Sequence, residues 1–328
     1  MMQYTDRHFR YLARIMSQHA RLYTEMVVCD ALLKGDPERF LAHSPFERPV
    51  ALQLGGCDPG DLSKAARLGE QAGFNEINLN VGCPSARVKS GRFGASLMAE
   101  PQLVSDCLIA MRSTVDIPVT IKTRIGIDHN DSYDELTTFV QALDSSGCEV
   151  VIVHARKAWL DGFSPRENRE IPPLRHDLVH QLKRDFPHLT IIVNGGLTTM
   201  EEGDRHLRHV DGVMLGRAAY QTPYVLAEVD NALFGPPAAG LPDRFEIFRR
   251  YLEYAEAEVD AGTYTRHLAK PLHYLFQGQP GARQWRRHLS ERCAPSNAGV
   301  ESLKSAVKCV ERAVMTKPEN HRHSGVGP

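Results

Sequence analysis

The chain has 328 residues, of which 42% are hydrophobic and 24% charged; it is about twice the length of a typical domain. That composition excludes a disordered chain, a disulfide miniprotein and a collagen-like fibre, and leaves enough apolar material for a large core. Lys and Arg number 39 against 40 Asp and Glu, a net charge of −1, so the charge of the whole chain gives no hint of a nucleic-acid partner.

In chain order, Asp6–Ser17 reads as a first helix, with no apolar leader before it. Short apolar runs then recur at Leu22–Val28, Val50–Leu54, Glu76–Asn80, Val119–Lys122, Val150–His154, Thr190–Asn194 and Gly212–Leu215. Each is read as a nearly continuous apolar stretch, as a parallel strand covered on both faces requires. Amphipathic segments such as Gly60–Gln71, Pro101–Thr114, Ser132–Ser146 and Leu174–Phe186 lie between them. Strand followed by helix, seven times over, predicts either a barrel or a doubly wound α/β sheet. A barrel needs eight strands. The eighth would precede Asp6, so we expect a truncated first βα unit, with the true start codon upstream of Met1.

Around Gly235–Pro242 the composition becomes that of a linker. The remainder reads as helices over Arg244–Ala261, Thr265–Phe276, Ala282–Arg292 and Gly299–Thr316. We therefore expect a barrel domain over 1–235, a linker over 236–243, a helical domain over 244–317 and a disordered tail over 318–328. The helical part is basic: residues 262–317 hold ten Lys/Arg and three Asp/Glu, a balance of +7, which leaves −8 on 1–261. That asymmetry points to an anionic macromolecular partner, against the plainer reading of solvated helix faces. No apolar run is long enough to span a membrane. The seven cysteines include no Cys-x-x-Cys pair, so neither a metal site nor a redox pair is expected, and the thiols read as those of a cytoplasmic protein.

Gln53, Asn80, Lys122, His154, Asn194 and Arg217 fall at or just past the C-terminal ends of six different strands. A barrel brings all its strand ends to one face, whereas a doubly wound sheet concentrates its site at a single switch point. No G-x-G-x-x-G follows a strand. The predicted fold is therefore an α/β (β/α)8 TIM barrel with a C-terminal all-α domain. Asn194-Gly195-Gly196 and Gly216-Arg217 occupy the loops where barrels often bind phosphate: glycine lets backbone N–H groups approach the anion and Arg217 adds a charged fork. Lys122, His154 and Gln53 on the same rim suit a planar heterocycle bearing a phosphate tail. Cys83, in a turn between Gly82 and Pro84, is a candidate general acid, because a thiol with a pKa of about 8.5 is mostly protonated at neutral pH. A nucleophilic role for Cys83 stays open.

Several segments together resemble the tRNA-dihydrouridine synthase family, most closely its A subfamily. They are Met1-Met2-Gln-Tyr-Thr-Asp, Gln53-Leu-Gly-Gly, Asn78-Leu-Asn-Val-Gly-Cys-Pro-Ser, Gly91-Arg-Phe-Gly-Ala-Ser-Leu-Met, Lys122-Thr-Arg-Ile-Gly-Ile-Asp, His154-Ala-Arg-Lys-Ala-Trp-Leu, Glu167-Asn-Arg-Glu-Ile-Pro-Pro-Leu, Asn194-Gly-Gly and Gly216-Arg-Ala-Ala-Tyr-Gln. The resemblance implies reduction of uridine to 5,6-dihydrouridine at positions 20 and 20a of the tRNA D-loop, with FMN as hydride carrier and NADPH as reductant. It further implies FMN contacts from Met2, Gln53, Lys122, His154, Asn194, Gly196, Gly216 and Arg217, to which the residue-level reading adds Gly195. Hydride would go to C6 and a proton from Cys83 to C5 of a base flipped from its stack.

For tRNA the resemblance implies Asn80 beside the uracil and Arg166 and Arg169 in the loop after His154, with Arg156 and Lys157 extending the set. Arg286 and Arg287 on the basic helices are expected to contact the backbone. Two departures stand out. A strand ending in Ala-Pro before the two methionines is missing, and Ala86 stands where the pattern has Asp. We expect a monomer. The competing readings are a flavin barrel dehydrogenase acting on a free pyrimidine and a catalytically inactive RNA-binding barrel.

Overall fold

In the computed structural model, residues 1–235 and 240–315 are described. Seven parallel strands form one sheet in sequence order: β1 (Leu22–Val28), β2 (Val50–Gly55), β3 (Glu76–Val81), β4 (Val119–Arg124), β5 (Val150–His154), β6 (Thr190–Asn194) and β7 (Gly212–Met214). Every neighbouring pair is parallel, with a helical crossover between, which is the repeat of a (β/α) barrel. The strand positions match those read from the sequence. Of the expected linker, 236–239 lies outside the described residues, as do Thr316, Lys317 and the expected tail.

Both faces of the sheet are covered, but for different reasons. Ile77, Leu79 and Val81 of β3 are fully buried. A Cβ added to Gly69 of the helix Pro59–Gln71 would lie 2.7 Å from the side chains of both Ile77 and Leu52. The helix thus sits on the outer face at a distance only glycine permits. Glu76, Asn78 and Asn80 alternate with those residues and bond instead across the inner face, to Thr120 and Gln53. β3 is therefore an alternating strand rather than a continuous apolar one. Its inner face is polar because it carries a hydrogen-bonded column.

The helix Arg7–Met16 is capped by Asp6, which accepts from the Phe9 N–H at 2.9 Å. Leu12, Ala13, Ile15 and Met16 are buried in the common core. Arg14 stays buried because its guanidinium donates to the carbonyls of Ser17, Ala20, Glu47 and Pro49. The Asp230 carboxylate accepts from Ser17 Oγ and the Gln18 N–H, both at 2.6 Å. That contact joins the segment leading into β1 to the helix Val225–Leu233, which follows β7; β1 and β7 are the edge strands of the sheet.

The helical unit comprises Arg244–Asp260, Thr265–Ala269, a 3-10 turn Lys270–Tyr274, Ala282–Arg292 and Glu301–Met315. Pro271 explains why the single helix expected over Thr265–Phe276 breaks into two pieces: it lacks the N–H that an α-helix would need there. The unit rests on Arg7–Met16 through the Arg7–Glu258 ion pair, the His8–Tyr254 hydrogen bond of 2.7 Å and a Tyr11–Tyr254 stack with centroids 3.8 Å apart. One continuous apolar core runs from Val151 in the sheet to Trp285 and Leu303 in the helices.

Candidate active site at the strand ends

β4 and β5 pair Arg124 with His154, and β5 and β6 pair His154 with Asn194, so the polar strand ends lie side by side. Lys122 is two residues before Arg124 and pairs in register with Asn80 of β3. Among the described residues Lys122 has no hydrogen-bond or ion-pair partner. Burial, and secondarily Arg124, lowers its amine to about 7. The imidazole of His154 is pushed well below its usual range by burial and then by Arg124, Lys122, Arg156 and Arg217. Of these cations Arg217 is paired, its Nη1 3.2 Å from the Glu170 carboxylate. A rim with this much uncompensated positive charge calls for an anionic or electron-rich occupant.

The glycine pair beside His154 is required sterically. Gly195 and Gly196 have φ of +109° and +78°. A Cβ on Gly195 would fall 2.5 Å from His154 Cδ2, and one on Gly196 2.5 Å from Leu174 Cδ1. The Gly195 carbonyl accepts from His176 Nε2 at 2.8 Å. Gly216 differs. Its φ is −110° and a Cβ there would meet only Asn194 Nδ2 at 3.9 Å, so the fold itself does not demand glycine there. The Asn194 amide donates to the Met214 carbonyl at 2.7 Å, tying β6 to β7.

Cys83 sits in the loop after β3, and its backbone is held from both sides. Asn80 Oδ1 accepts from the N–H groups of Gly82 and Cys83 at 3.1 and 3.0 Å. The Cys83 carbonyl accepts from the Ala95 N–H at 2.9 Å. Arg124 Nε donates to the Gly82 carbonyl at 2.8 Å, and its Nη1 donates to the carbonyls of Lys157 and Asn168. The thiol is partly exposed and near Ser85 Oγ, at 3.6 Å.

Not every expected residue converges here. Gln53 is buried, but both ends of its amide are engaged by Asn78 and Asn80. Asn80 likewise has its oxygen on the Cys83 loop and its nitrogen on Gln53. Met2 is 52% exposed. Arg166 and Arg169 lie exposed after β5; Arg166 pairs with Glu170, whereas Arg169 has no partner among the described residues. Arg286 and Arg287 bond within the helical unit, to Gln277 and Glu291. Sequence reasoning missed Arg124, only 3% exposed. The available signal was its place two residues after Lys122, on the same face of β4. Among the described residues no three His, Cys, Asp or Glu are grouped to hold a metal ion, and no helix is long and apolar enough to cross a membrane.

A parallel barrel sheet with a cationic rim over a glycine turn, and a partly exposed cysteine clamped beside it, defines a barrel enzyme with its site at the C-terminal strand ends. Comparison with known proteins narrows this. Residues 1–314 match the family described as "Dihydrouridine synthase (Dus)", and the chain belongs to that family. It is 54% identical over 308 residues to the "tRNA-dihydrouridine(20/20a) synthase" of Vibrio parahaemolyticus, covering 94% of each chain. It is 53% identical over 311 residues to the proteins of the same name from Shewanella oneidensis, covering 95% of this chain and 92% of that one, and Escherichia coli K12, covering 94% and 90%. Among solved structures, a 2-naphthoyl-CoA reductase complex is similar with a TM-score of 0.50 at 12% identity, over 68% of this chain and 46% of that one. At that identity the likeness concerns the fold alone.

Proposed function

We propose that this protein reduces uridine to 5,6-dihydrouridine at positions 20 and 20a of the tRNA D-loop, with FMN as the hydride carrier and NADPH as the electron source. The observation that carries the reading is a rim where Arg124, Lys122, Arg156 and Arg217 surround His154, with no hydrogen-bond or ion-pair partner for Lys122 among the described residues, above a glycine turn and beside the Cys83 loop. Such a cradle fits a phosphorylated isoalloxazine. Gly195, Gly196, Gly216 and Arg217 would hold the phosphate, with Lys122, His154 and Asn194 around the ring system. FMN bound there supplies the hydride for C6 of uracil.

Cys83 gives its proton to C5 from a backbone position held by Asn80, Arg124 and Ala95. Neutral His154 can accept or donate a hydrogen bond without competing for that proton. The base must leave its stack to reach this rim. Arg166 and Arg169 at the rim, and Arg286 and Arg287 on the basic helices, then take the RNA backbone, and Asn80 lies nearest the base.

The test begins with loading purified protein with FMN and assaying dihydrouridine in unmodified tRNA. Cys83→Ala should keep the bound flavin and lose about 10²–10⁴-fold in turnover, the usual weight of a general acid. Unchanged turnover removes Cys83 from the chemistry. Protein that takes up no flavin sinks the reading altogether, and NADPH oxidation stimulated by free uracil rather than by tRNA would replace the substrate.

A further inference from the structure

The inner face of β2–β4 carries a column of polar side chains where a barrel interior is usually filled with branched apolar ones. At its lower end is Glu76, 3% exposed, whose carboxylate pairs with Arg21 and accepts from Tyr23 OH at 3.0 Å. The Thr120 hydroxyl donates to Glu76 Oε1 at 2.6 Å, and Asn78 Nδ2 donates to Thr120 Oγ1 at 2.8 Å. Gln53 Nε2 donates to Asn78 Oδ1 at 2.9 Å, and Asn80 Nδ2 donates to Gln53 Oε1 at 2.8 Å. At the top, Asn80 Oδ1 accepts from the N–H groups of Gly82 and Cys83.

Every bond in this column points the same way, and the chemistry of its lower end requires it. An ionised carboxylate only accepts, and a threonine hydroxyl has one proton. Thr120 therefore gives its proton to Glu76 and must accept from Asn78. That fixes which way the Asn78 amide faces, and in turn the amides of Gln53 and Asn80. The oxygen of Asn80 is left facing the Cys83 loop. An Asn80 amide turned the other way would set its NH2 against two backbone N–H donors, with no acceptor between them. Among the described residues nothing else bonds those two N–H groups; Arg124 and Ala95 hold only the carbonyls of the same loop.

We propose that Glu76 is a positioning residue for Cys83: a buried carboxylate at the far end of β3 that orients the reactive loop through a one-way chain of four side chains. The inference rests on the general-acid role proposed for Cys83 but is tested separately from it. Glu76→Gln is nearly isosteric, yet Arg21 would draw the new amide oxygen toward itself and turn the NH2 to Thr120, which reverses the chain. Thr120→Val cuts the chain, and Thr120→Ser keeps it.

The experiment uses the full chain loaded with FMN and has two readouts. One is kcat and KM on unmodified tRNA; the other is peptide-resolved alkylation of Cys83 by iodoacetamide across pH, with the partly exposed Cys57 as internal reference. Glu76→Gln and Thr120→Val should each lower kcat by about 10- to 100-fold with little change in KM, the scale expected of a small misplacement of a reacting group. Both should also shift the rate or pH midpoint of Cys83 alkylation while leaving that of Cys57 alone. Thr120→Ser should restore both readouts. Wild-type kcat with wild-type Cys83 alkylation in either chain-breaking variant overturns the proposal, as does a kcat loss with unaltered Cys83 alkylation. Should Glu76→Gln fail to fold, Thr120→Val alone decides. A wild type inactive on tRNA would refute the function but leave the alkylation comparison valid.

Discussion

Lys122 shows how one side chain can be legible in sequence and yet acquire its behaviour only in the fold. A lysine closing an apolar strand is conspicuous in any sequence. Arg124, two residues on, shares its face of β4; what the sequence does not show is that no carboxylate among the described residues comes to offset either charge. The folded amine, at about 7, binds its proton far less readily than the unfolded amine near 10.4. Between those values the unfolded chain holds a proton that the folded chain has released, so stability rises with pH in that window. Without bound ligand, the stability of wild type relative to Lys122→Met should climb from pH 7 to pH 9, by up to about 1.4 kcal/mol per pH unit. Urea unfolding at three pH values measures this, and a flat difference would show that the amine keeps its ordinary affinity for protons. Saturating FMN should flatten the curve, because hydrogen-bond acceptors of the ring system beside Lys122 favour its charged form.

Among the elements, the loop after β5 carries the contrast between Arg166 and Arg169. Both look alike in sequence. In the structure Arg166 is held by Glu170 four residues on, while Arg169 has no partner among the described residues. A free guanidinium can neutralise a phosphate without first breaking an ion pair. Arg169→Ala should therefore weaken tRNA binding and reduce the log–log salt slope by about 0.7 to 1. Arg166→Ala should have the smaller effect, since Glu170 already engages that guanidinium. Filter binding over a salt series separates the two; equal slopes for wild type and Arg169→Ala would exclude a phosphate contact. β3 shows a different gap between sequence and structure. Its apolar residues identify a strand, but its alternation, Glu76, Asn78 and Asn80 against Ile77, Leu79 and Val81, acquires meaning only when β2 and β4 supply Gln53 and Thr120 on the inner side.

Across the whole molecule, the charge split and the packing tell different stories. The basic helices are separable from the acidic barrel in sequence, but their packing is continuous with it. Tyr251, Phe276, Trp285 and Leu303 belong to the same buried core as Phe9, Leu12 and the strands, and Arg7–Glu258 closes the seam. Burial of that kind couples the units energetically. The chain has two tryptophans: Trp159 on the rim and the fully buried Trp285 in the helical unit. In Trp159→Phe, the emission of Trp285 and the far-UV circular dichroism should lose structure at one common urea midpoint. Separate midpoints would mean that the helices unfold on their own.

The amino-acid sequence alone determined the strands and their order, the barrel class, the glycine turn and the cysteine, because hydrophobic period, Gly and Pro placement and strand-end chemistry are local properties of the chain. It also carried the motifs of the dihydrouridine synthase family. The tertiary structure alone decided the rest: that Arg124 holds the Cys83 loop, that Gln53 and Asn80 are engaged by each other, that Arg166 is paired where Arg169 has no partner among the described residues, and that Glu76 lies at the end of a one-way chain of hydrogen bonds. Each depends on side chains brought together from strands or loops far apart in sequence, and a hydrogen bond or a desolvated charge is defined by the partner it meets.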